Sequence, residues 1–346
     1  MADRANPYQS GYPFSAIVGQ ERLKLALLLN AVNPAVGGVL IRGEKGTAKS
    51  TAVRGLASLL PEITVAEGCP FNLSPEEPHQ RCELCRAAGG DVRSRRIPVP
   101  LINLPLNATE DRVGGGIDFS WAVTRGERRL APGLLAAANR GILYVDEVNL
   151  LDEHIVDMIL DAATTGVNIV EREGLTCRHP SRFILVGTMN PEEGELRPQL
   201  LDRFGLCVEV SAERDIARRI TLMRCREEFD NSPGSFIKVF EEEERRRSLR
   251  IRTAAGFLPR VEFPEQLRPL AAELSSRANV AGHRADLFME QAARALAALE
   301  GRTTATVEDL REISSMVLAH RKRDAEPPPP EKDAEEDTRD REERNG

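Results

Sequence analysis

Aromatic residues and long apolar runs are both scarce in this sequence of 346 residues. Only 4% of the residues are aromatic while 41% are hydrophobic, which indicates an aliphatic core of the kind found in α/β proteins with many helices. No stretch approaches the roughly eighteen apolar residues of a membrane span, and the segment 1–13 lacks the basic and apolar regions of a secretory signal. We therefore expect a cytoplasmic protein without a membrane partner, long enough for two domains.

An excess of positive charge is also missing. The net charge is −7 and the isoelectric point is near 5.5, so the chain as a whole does not attract nucleic acid. A local basic patch remains compatible with these values. Nucleic acid is disfavoured as a partner.

Cysteine is infrequent, with six residues, but three of them lie close together in the sequence. Cys82 and Cys85 have a two-residue spacing, with Cys69 and His79 upstream. This set could bind zinc, or less readily an iron–sulfur cluster. The alternative, which we favour, is a loop that carries ordinary cytosolic thiols.

A glycine-containing loop follows an apolar run at 39–42 and precedes a helical pattern, which is the position of a phosphate-binding loop. Its backbone N–H groups would surround phosphates, Lys49 would meet the β- and γ-phosphate charge, and the Ser50 hydroxyl would bind Mg²⁺. Ala48 stands where glycine is usual and would be strained at a positive φ. The predicted ATP-binding residues are Gly43, Glu44, Lys45, Gly46, Thr47, Ala48, Lys49, Ser50 and Thr51.

Two adjacent carboxylates end a second apolar run at 141–147, the form of a Walker B motif. Asp146 would bind Mg²⁺ of Mg-ATP together with Ser50, and Glu147 would activate the attacking water. A surface Asp-Glu pair after a core strand is the alternative. The order and separation of the two motifs favour the nucleotide site.

Strand-like runs alternate with helical patterns through the first part of the chain. This alternation predicts a parallel sheet with helices on both faces and a nucleotide site at the carboxyl ends of its strands. The predicted strands are 39–42, 101–104, 142–146, 183–188 and 206–210, and the predicted helices between them include 50–60, 133–139 and 154–163.

The remaining segments give a provisional domain plan. We predict a nucleotide-binding domain over 1–225, which includes an irregular Cys-bearing loop at 62–100, a mobile insertion at 112–132 and a β-hairpin at 167–178. A linker at 226–258 precedes a helical domain at 259–322, in which Leu287, Ala292 and Leu296 keep helical spacing and a capping box begins at Thr306. The Pro-rich, charged tail 323–346 is expected to be disordered.

Five motifs together resemble the AAA+ ATPase subunit of magnesium chelatase and of its cobaltochelatase relatives. The likeness covers about 14–321, and the hairpin and the insertion before Gly133 match the two insertions, named helix-2 and pre-sensor-1, of that family. Ala48 and the Cys-bearing loop are more similar to the cobaltochelatase type. The motifs are Val18-Gly19-Gln20-Glu21, the phosphate loop, the Asp-Glu strand, Gly187-Thr188-Met189-Asn190-Pro191 and the run 196–205.

The resemblance implies a three-layer α/β/α AAA+ P-loop fold with a C-terminal helical lid, assembled as a hexameric ring. It assigns Asn190 to sensor 1, which orients water with Glu147, Arg203 to the arginine finger that acts on a neighbouring subunit's γ-phosphate, and Arg284 to sensor 2 of the lid. It also implies a second AAA+ subunit with an integrin-like domain and a large porphyrin-binding subunit. ATP turnover would drive the insertion of Mg²⁺ or Co²⁺ into a tetrapyrrole such as protoporphyrin IX.

The residues by themselves leave alternatives. Asn190 could only cap a turn, Arg203 could pair with Asp202 or Glu209, and Arg284 could be solvated. At the level of function, the alternatives are a MoxR-type remodelling chaperone, a scaffold that binds ATP without turnover, and, disfavoured by charge, a DNA helicase. The sequence does not identify the metal, the tetrapyrrole or the partners.

Overall fold

The computed structural model describes residues 11–77, 93–126, 129–172, 175–280 and 283–321. The strands, in chain order, are β1 (Val39–Gly43), β2 (Ile63–Ala66), β3 (Ser94–Ile97), β4 (Leu101–Leu104), β5 (Gly115–Ile117), β6 (Leu130–Pro132), β7 (Ile142–Val145), β8 (Val167–Arg172), β9 (Leu175–Pro180), β10 (Ile184–Met189) and β11 (Leu206–Val210). Five of them form one parallel sheet in the order β11-β1-β10-β7-β4. All five predicted strands are confirmed, with ends shifted by a residue at most.

Helices occupy both faces of this sheet and most of the chain after it. In chain order they are α1 (Glu21–Val32), α2 (Lys49–Leu59), α3 (Glu110–Gly114), α4 (Phe119–Arg125), α5 (Leu134–Ala137), α6 (Glu153–Thr165), α7 (Pro198–Leu201), α8 (Ile216–Asn231), α9 (Pro233–Phe257), α10 (Leu267–Arg277), α11 (Arg284–Leu299) and α12 (Val307–Leu318). Within the described ranges, none of these helices is both long and apolar enough to cross a bilayer.

Alternate side chains of the central strands point into two separate cores. On β1, Val39 and Ile41 join a core with α1, α2 and the C-terminal helices, whereas Leu40 joins a core on the other face with α6. Successive strand residues point to opposite faces, so a strand buried on both sides is apolar throughout. The observed layers are the three-layer α/β/α arrangement that the sequence predicted.

Among the described residues, three antiparallel strand pairs lie outside the central sheet: β2 with β3, β5 with β6, and β8 with β9. The last is the predicted hairpin. The prediction of an irregular loop over 62–100 was wrong at the two ends of that segment, because β2 and β3 pair there. The insertion at 112–132 also contains regular structure, since Gly115, at φ +111°, leads out of α3 into a strand that pairs with β6.

The C-terminal helices pack on α1 and share its core. The segment predicted as a linker, 226–258, is helical and falls in α8 and α9. The capping box is confirmed, since Thr306 and Asp309 exchange side-chain to backbone hydrogen bonds. Leu287 is 61% exposed, because its five-residue separation from Ala292 puts the two on different helix faces. The predicted disordered tail lies outside the described residues.

Candidate functional site

The loop between β1 and α2 has the backbone of a phosphate-binding loop. Gly46 has a φ of +84°, and Ala48 adopts the left-handed conformation with a φ of +62°. The strain expected for alanine at this position is therefore present, at a cost of roughly 1 kcal/mol. Lys49 is the first residue of α2, so the positive end of the helix dipole and its unpaired N–H groups face the loop.

Lys49 is held across this loop by backbone carbonyls. Its Nζ donates hydrogen bonds to the carbonyl oxygens of Gly43 and, at 3.0 Å, of Glu44. The Thr47 hydroxyl also donates to the Glu44 carbonyl, at 2.8 Å. Burial lowers the pKa of Lys49, and the negative charges of the carboxylates at 146, 147 and 193 act against that change. The ammonium is thus preorganised in a loop that suits an anionic ligand.

The predicted carboxylates follow the end of β7 and contact the neighbouring strand β10. Asp146 accepts hydrogen bonds on Oδ1 from the Tyr144 hydroxyl at 2.9 Å and from the Thr188 hydroxyl at 2.5 Å. The Glu147 backbone N–H donates to the same Thr188 oxygen at 3.1 Å. Glu147 has a φ of +52°, an uncommon conformation, at the start of the short helical turn that follows the strand. Sequence reasoning gave Tyr144 and Thr188 no role, although both lie within the motifs it used.

The end of β10 supplies a further group of polar side chains. Asn190 is buried, and its Oδ1 accepts a hydrogen bond from the Glu192 N–H at 3.3 Å, so it caps the turn that follows. Lys45 of the phosphate loop bridges Glu147, at 3.2 Å, and Glu193, at 2.6 Å. The phosphate loop, the carboxylates and the end of β10 therefore meet at one edge of the sheet, as parallel strands require. The capping contact uses the amide oxygen of Asn190, and the sensor role stays a prediction.

Arg203 and Arg284, the two arginines predicted to act on the nucleotide, lie together at a second site. They line one pocket of about 370 Å³ with Arg197, Glu153 and Asp157. Arg203 pairs with Asp161 and, at 3.4 Å, with Asp157, both on α6. The sequence alternative of a pair with Asp202 or Glu209 was wrong, because Asp202 binds Arg321 at 3.0 Å and Arg284 at 3.6 Å.

This arginine pocket lies at the sheet edge opposite the phosphate loop. Arg203 precedes β11, whose first residue pairs in register with Val39, the first residue of β1. The phosphate loop follows the last residue of β1, about 16 Å away at roughly 3.3 Å per strand residue. Arg284 begins α11, and the Phe288 ring of its first turn packs on Gly37, just before β1. Neither arginine is therefore placed to serve the nucleotide loop of its own chain.

Of the four predicted metal ligands in the Cys-bearing loop, only Cys69 falls in a described range. It is buried beside Phe71 and Leu73 in a small apolar cluster. His79, Cys82 and Cys85 lie outside the described residues, and the rest of the chain that the structure describes contains no cluster of metal-binding side chains. The zinc hypothesis stays a prediction.

Comparison with known proteins agrees with the fold and the motifs. The model of the family "Magnesium chelatase, subunit ChlI" matches residues 119–198, and that of the AAA lid domain matches 268–342. The magnesium-chelatase subunit ChlI homolog of Methanocaldococcus jannaschii is 52% identical over 90% of this chain and 86% of its own length. The ChlI subunit of Nostoc is 49% identical over 90% and 84%.

Solved structures give a corresponding result. A chain from a cryo-electron microscopy model of the complex between subunits BchI and BchD of magnesium chelatase is 47% identical, with a TM-score of 0.56, over 91% of this chain and 97% of that one. A putative ATPase from Cytophaga hutchinsonii has a TM-score of 0.57 at 18% identity, over 89% and 84% of the two chains, which indicates the fold alone.

Proposed function

Because this chain belongs to the magnesium chelatase ChlI family, we propose that it is the ATP-hydrolysing motor subunit of a metal chelatase. One observation carries the proposal. The binding and water-activating side chains lie at the carboxyl edge of the sheet, and the two arginines lie at the opposite edge. A complete hydrolytic site then needs two copies of the chain, as in a ring motor.

At the carboxyl edge, each side chain has a role in holding and hydrolysing Mg-ATP. Lys49 and the N–H groups at the start of α2 fit the β- and γ-phosphates. Ser50 and Asp146 would hold the Mg²⁺ that accompanies ATP, and this ion would neutralise phosphate charge. Tyr144 and Thr188 orient Asp146 by donating to one of its oxygens, which leaves the other available.

Before nucleotide binds, Glu147 is held in an ion pair by Lys45. Lys45 forms ion pairs with both Glu147 and Glu193, and phosphate oxygens would compete for the same ammonium. Glu147, once released, would orient water, and Asn190 at the end of the adjacent strand would be the second contact of that water.

At the opposite edge, Arg203 and Arg284 form the surface offered to a neighbouring subunit. Their guanidinium groups would stabilise the charge that develops on the neighbour's γ-phosphate. Arg203 must leave Asp157 and Asp161 to do so. These contacts are partly exposed, and exposed ion pairs contribute roughly 1 kcal/mol or less, so the exchange is accessible.

The partners follow from the relatives. A neighbour of this fold is described in a complex with BchD, and we propose a hexameric ring of this chain that drives a second AAA+ subunit with an integrin-like domain. A large porphyrin-binding subunit would carry the tetrapyrrole. The relatives named above are described as a magnesium-chelatase subunit ChlI and as a homolog of that subunit, so we propose Mg²⁺ rather than Co²⁺ as the inserted metal.

The test is complementation between two inactive variants. Arg203→Ala keeps its nucleotide site but loses the finger, with an expected loss of turnover on the order of 10³-fold. Lys49→Ala loses nucleotide binding but keeps the finger. Mixed rings should recover phosphate release, because an intact site and an intact finger meet at their interface.

Arg252→Ala, at an exposed position of α9, is the matched control and should keep full turnover. Absence of recovery in mixtures that form rings, checked by native mass spectrometry, would rule out the trans role. Porphyrin metallation with a partner-containing cell fraction then distinguishes a chelatase motor from a general remodelling ATPase.

A further inference from the structure

One buried arginine has no role in the proposed nucleotide site, yet it forms hydrogen bonds with the segment that contains Arg203. Arg321 follows α12, and its side chain is 1% exposed. Its guanidinium donates to Asp202 Oδ1 at 3.0 Å, to the Asp202 carbonyl at 2.9 Å and to the Gly205 carbonyl at 3.3 Å, and also to the carbonyls of Phe204 and Val317. All but one of these acceptors belong to the segment 202–205.

Burial of this charge is compensated almost entirely by that segment. A buried guanidinium is costly unless its donors are paired, and removal of its acceptors would leave an uncompensated charge. Burial lowers the pKa of Arg321 to about 10, with the Asp202 carboxylate acting against the change, so the side chain remains charged near neutral pH. Arg321 and 202–205 are therefore held together strongly.

The same segment contacts two parts of the lid. Asp202 shares its carboxylate between Arg321 and Arg284, which begins α11. The Phe204 carbonyl accepts a second hydrogen bond from His320 Nε2 at 2.8 Å. The Phe288 ring of α11 stacks under the Arg321 guanidinium at 5.0 Å. The first turn of α11 and the end of α12 thus meet at the finger segment.

Contacts outside the lid also restrict the backbone of the segment 202–205. A Cβ at Gly205 would lie 1.5 Å from the Val36 carbonyl oxygen, so the chain passes Val36 at the closest approach that glycine permits. Phe204 is buried in the core that contains Leu40 and α6. The Arg203 side chain is 25% exposed and projects from an otherwise fixed turn.

We propose that Arg321 is a positioning residue that fixes Arg203 and Arg284 in the geometry needed to reach the nucleotide of the neighbouring subunit. This inference rests on the proposed trans-acting site. It makes the lid and the finger one mechanical unit, so that a shift of the lid in one subunit changes the finger presented to the next. Misplacement of a catalytic group by about 1 Å costs up to ~10²-fold in rate.

The experiment separates two functions of a subunit. One is to supply Arg203 to the site of its neighbour, and the other is to hydrolyse ATP at its own site. Arg203→Ala serves as the acceptor, the subunit that binds ATP and receives the arginine finger of its neighbour. The donor, the subunit that supplies Arg203, is either Lys49→Ala or the double variant Lys49→Ala/Arg321→Met. We expect the double variant to give at least ~10-fold less phosphate release in the mixed rings. In the reciprocal mixture, Arg203→Ala/Arg321→Met as acceptor with Lys49→Ala as donor should recover as much activity as Arg203→Ala does.

A role that is merely structural would impair the subunit in both positions, so equal losses as donor and as acceptor would overturn the proposal. Full donor activity of the double variant would also overturn it. If Lys49→Ala and Arg203→Ala fail to complement at all, the trans site itself is wrong, which is a different result. Should Arg321→Met not fold, Arg321→Lys, which keeps the charge but not the planar donor array, gives the same comparison.

Discussion

Two residues at the nucleotide site, Ala48 and Glu147, occupy backbone conformations that are unfavourable for their side chains. Each costs energy that the surrounding hydrogen bonds must offset, and such positions concentrate where a group must be aimed. Ala48 lets the chain enter α2 with Lys49 facing the loop. Glu147 turns away from β7 while its N–H remains bound to Thr188. The strain therefore serves orientation at both positions.

We expect Lys49→Ala and Glu147→Gln to separate ATP binding from turnover. Lys49 contributes phosphate charge, so its loss should abolish tight Mg-ATP binding. Glu147→Gln preserves shape but cannot take a proton, so binding should persist while phosphate release falls by roughly 10²-fold or more. Equilibrium binding of a fluorescent ATP analogue and steady-state phosphate release measure the two effects. Near-normal release by Glu147→Gln would contradict the assignment.

His320 makes the stability of the protein sensitive to acid. Burial, with the nearby charges of Arg321 and Arg42, lowers its pKa to about 3. The unfolded chain binds this proton near pH 6.5 and the folded chain does not, so stability is complete above pH 6.5 and falls as the pH decreases. From pH 7 to pH 5 the loss attributable to His320 is about 2 kcal/mol.

Urea unfolding at pH 7 and pH 5 checks this loss. His320→Gln keeps a donor for the Phe204 carbonyl but has no titrating group, so its pH dependence should be smaller than that of the wild type by that amount. Val239→Gln, at an exposed position of α9, introduces the same side chain away from His320, so it is the control and should retain the wild-type slope. Identical slopes for wild type and His320→Gln would contradict the assignment.

At the scale of elements, the β8–β9 hairpin is anchored by buried polar contacts at its base. The Asn168 side-chain N–H groups donate to the Gly114 carbonyl at 2.7 Å and to His179 Nε2 at 3.0 Å. His179 Nδ1–H then donates to the Pro180 carbonyl, and burial lowers the pKa of this imidazole, which keeps it neutral. The hairpin and α3 are thus held together, and the hairpin leads into the first residue of β10, at the end of that strand opposite the phosphate loop.

Removal of this anchor should loosen the hairpin without affecting ATP binding. Asn168→Ala leaves the Gly114 carbonyl buried without this donor, at a cost of about 1–3 kcal/mol. Hydrogen exchange of the β8–β9 amides should therefore become faster, while the Kd for ATP stays the same. Thr176→Ala, at an exposed position of β9, is the control. Unchanged exchange in Asn168→Ala would show that the hairpin is held by other contacts.

At the scale of the whole molecule, the proposed division of the site between two sheet edges would make activity depend on assembly. Arg284 of the lid lies away from the carboxyl edge, because it begins α11 near the amino end of β1. In this proposal a monomer holds one half of each of two different sites. The arrangement would couple each hydrolysis event to the contact between subunits.

We expect phosphate release per chain to rise with protein concentration and to saturate when rings are complete. Dilution separates the arginine pocket from the neighbouring phosphate loop, whereas ATP binding to a single chain is unaffected. Parallel measurements of turnover and of sedimentation velocity over the same concentrations check this. A constant turnover per chain in samples that sediment as monomers would show that the site is complete within one chain.

The sequence by itself determined the sheet strands, the phosphate loop, the carboxylate pair and the Thr306 cap. These features depend on neighbours a few residues apart, such as alternating burial along β1 or the three-residue span from Thr306 to Asp309, so local patterns suffice to predict them. The strain at Ala48 was predictable for the same reason, because it is a property of one residue in one turn.

Only the tertiary structure decided which side chains meet. The pairing of Arg203 with α6, the support of Asp146 by Thr188 and the hold of Arg321 on 202–205 join positions between 42 and 119 residues apart. Such contacts depend on strand order and on the packing of the lid against α1, which no local pattern encodes. The separation of finger and phosphate loop has the same origin, because parallel strands place their beginnings and ends at opposite edges of the sheet.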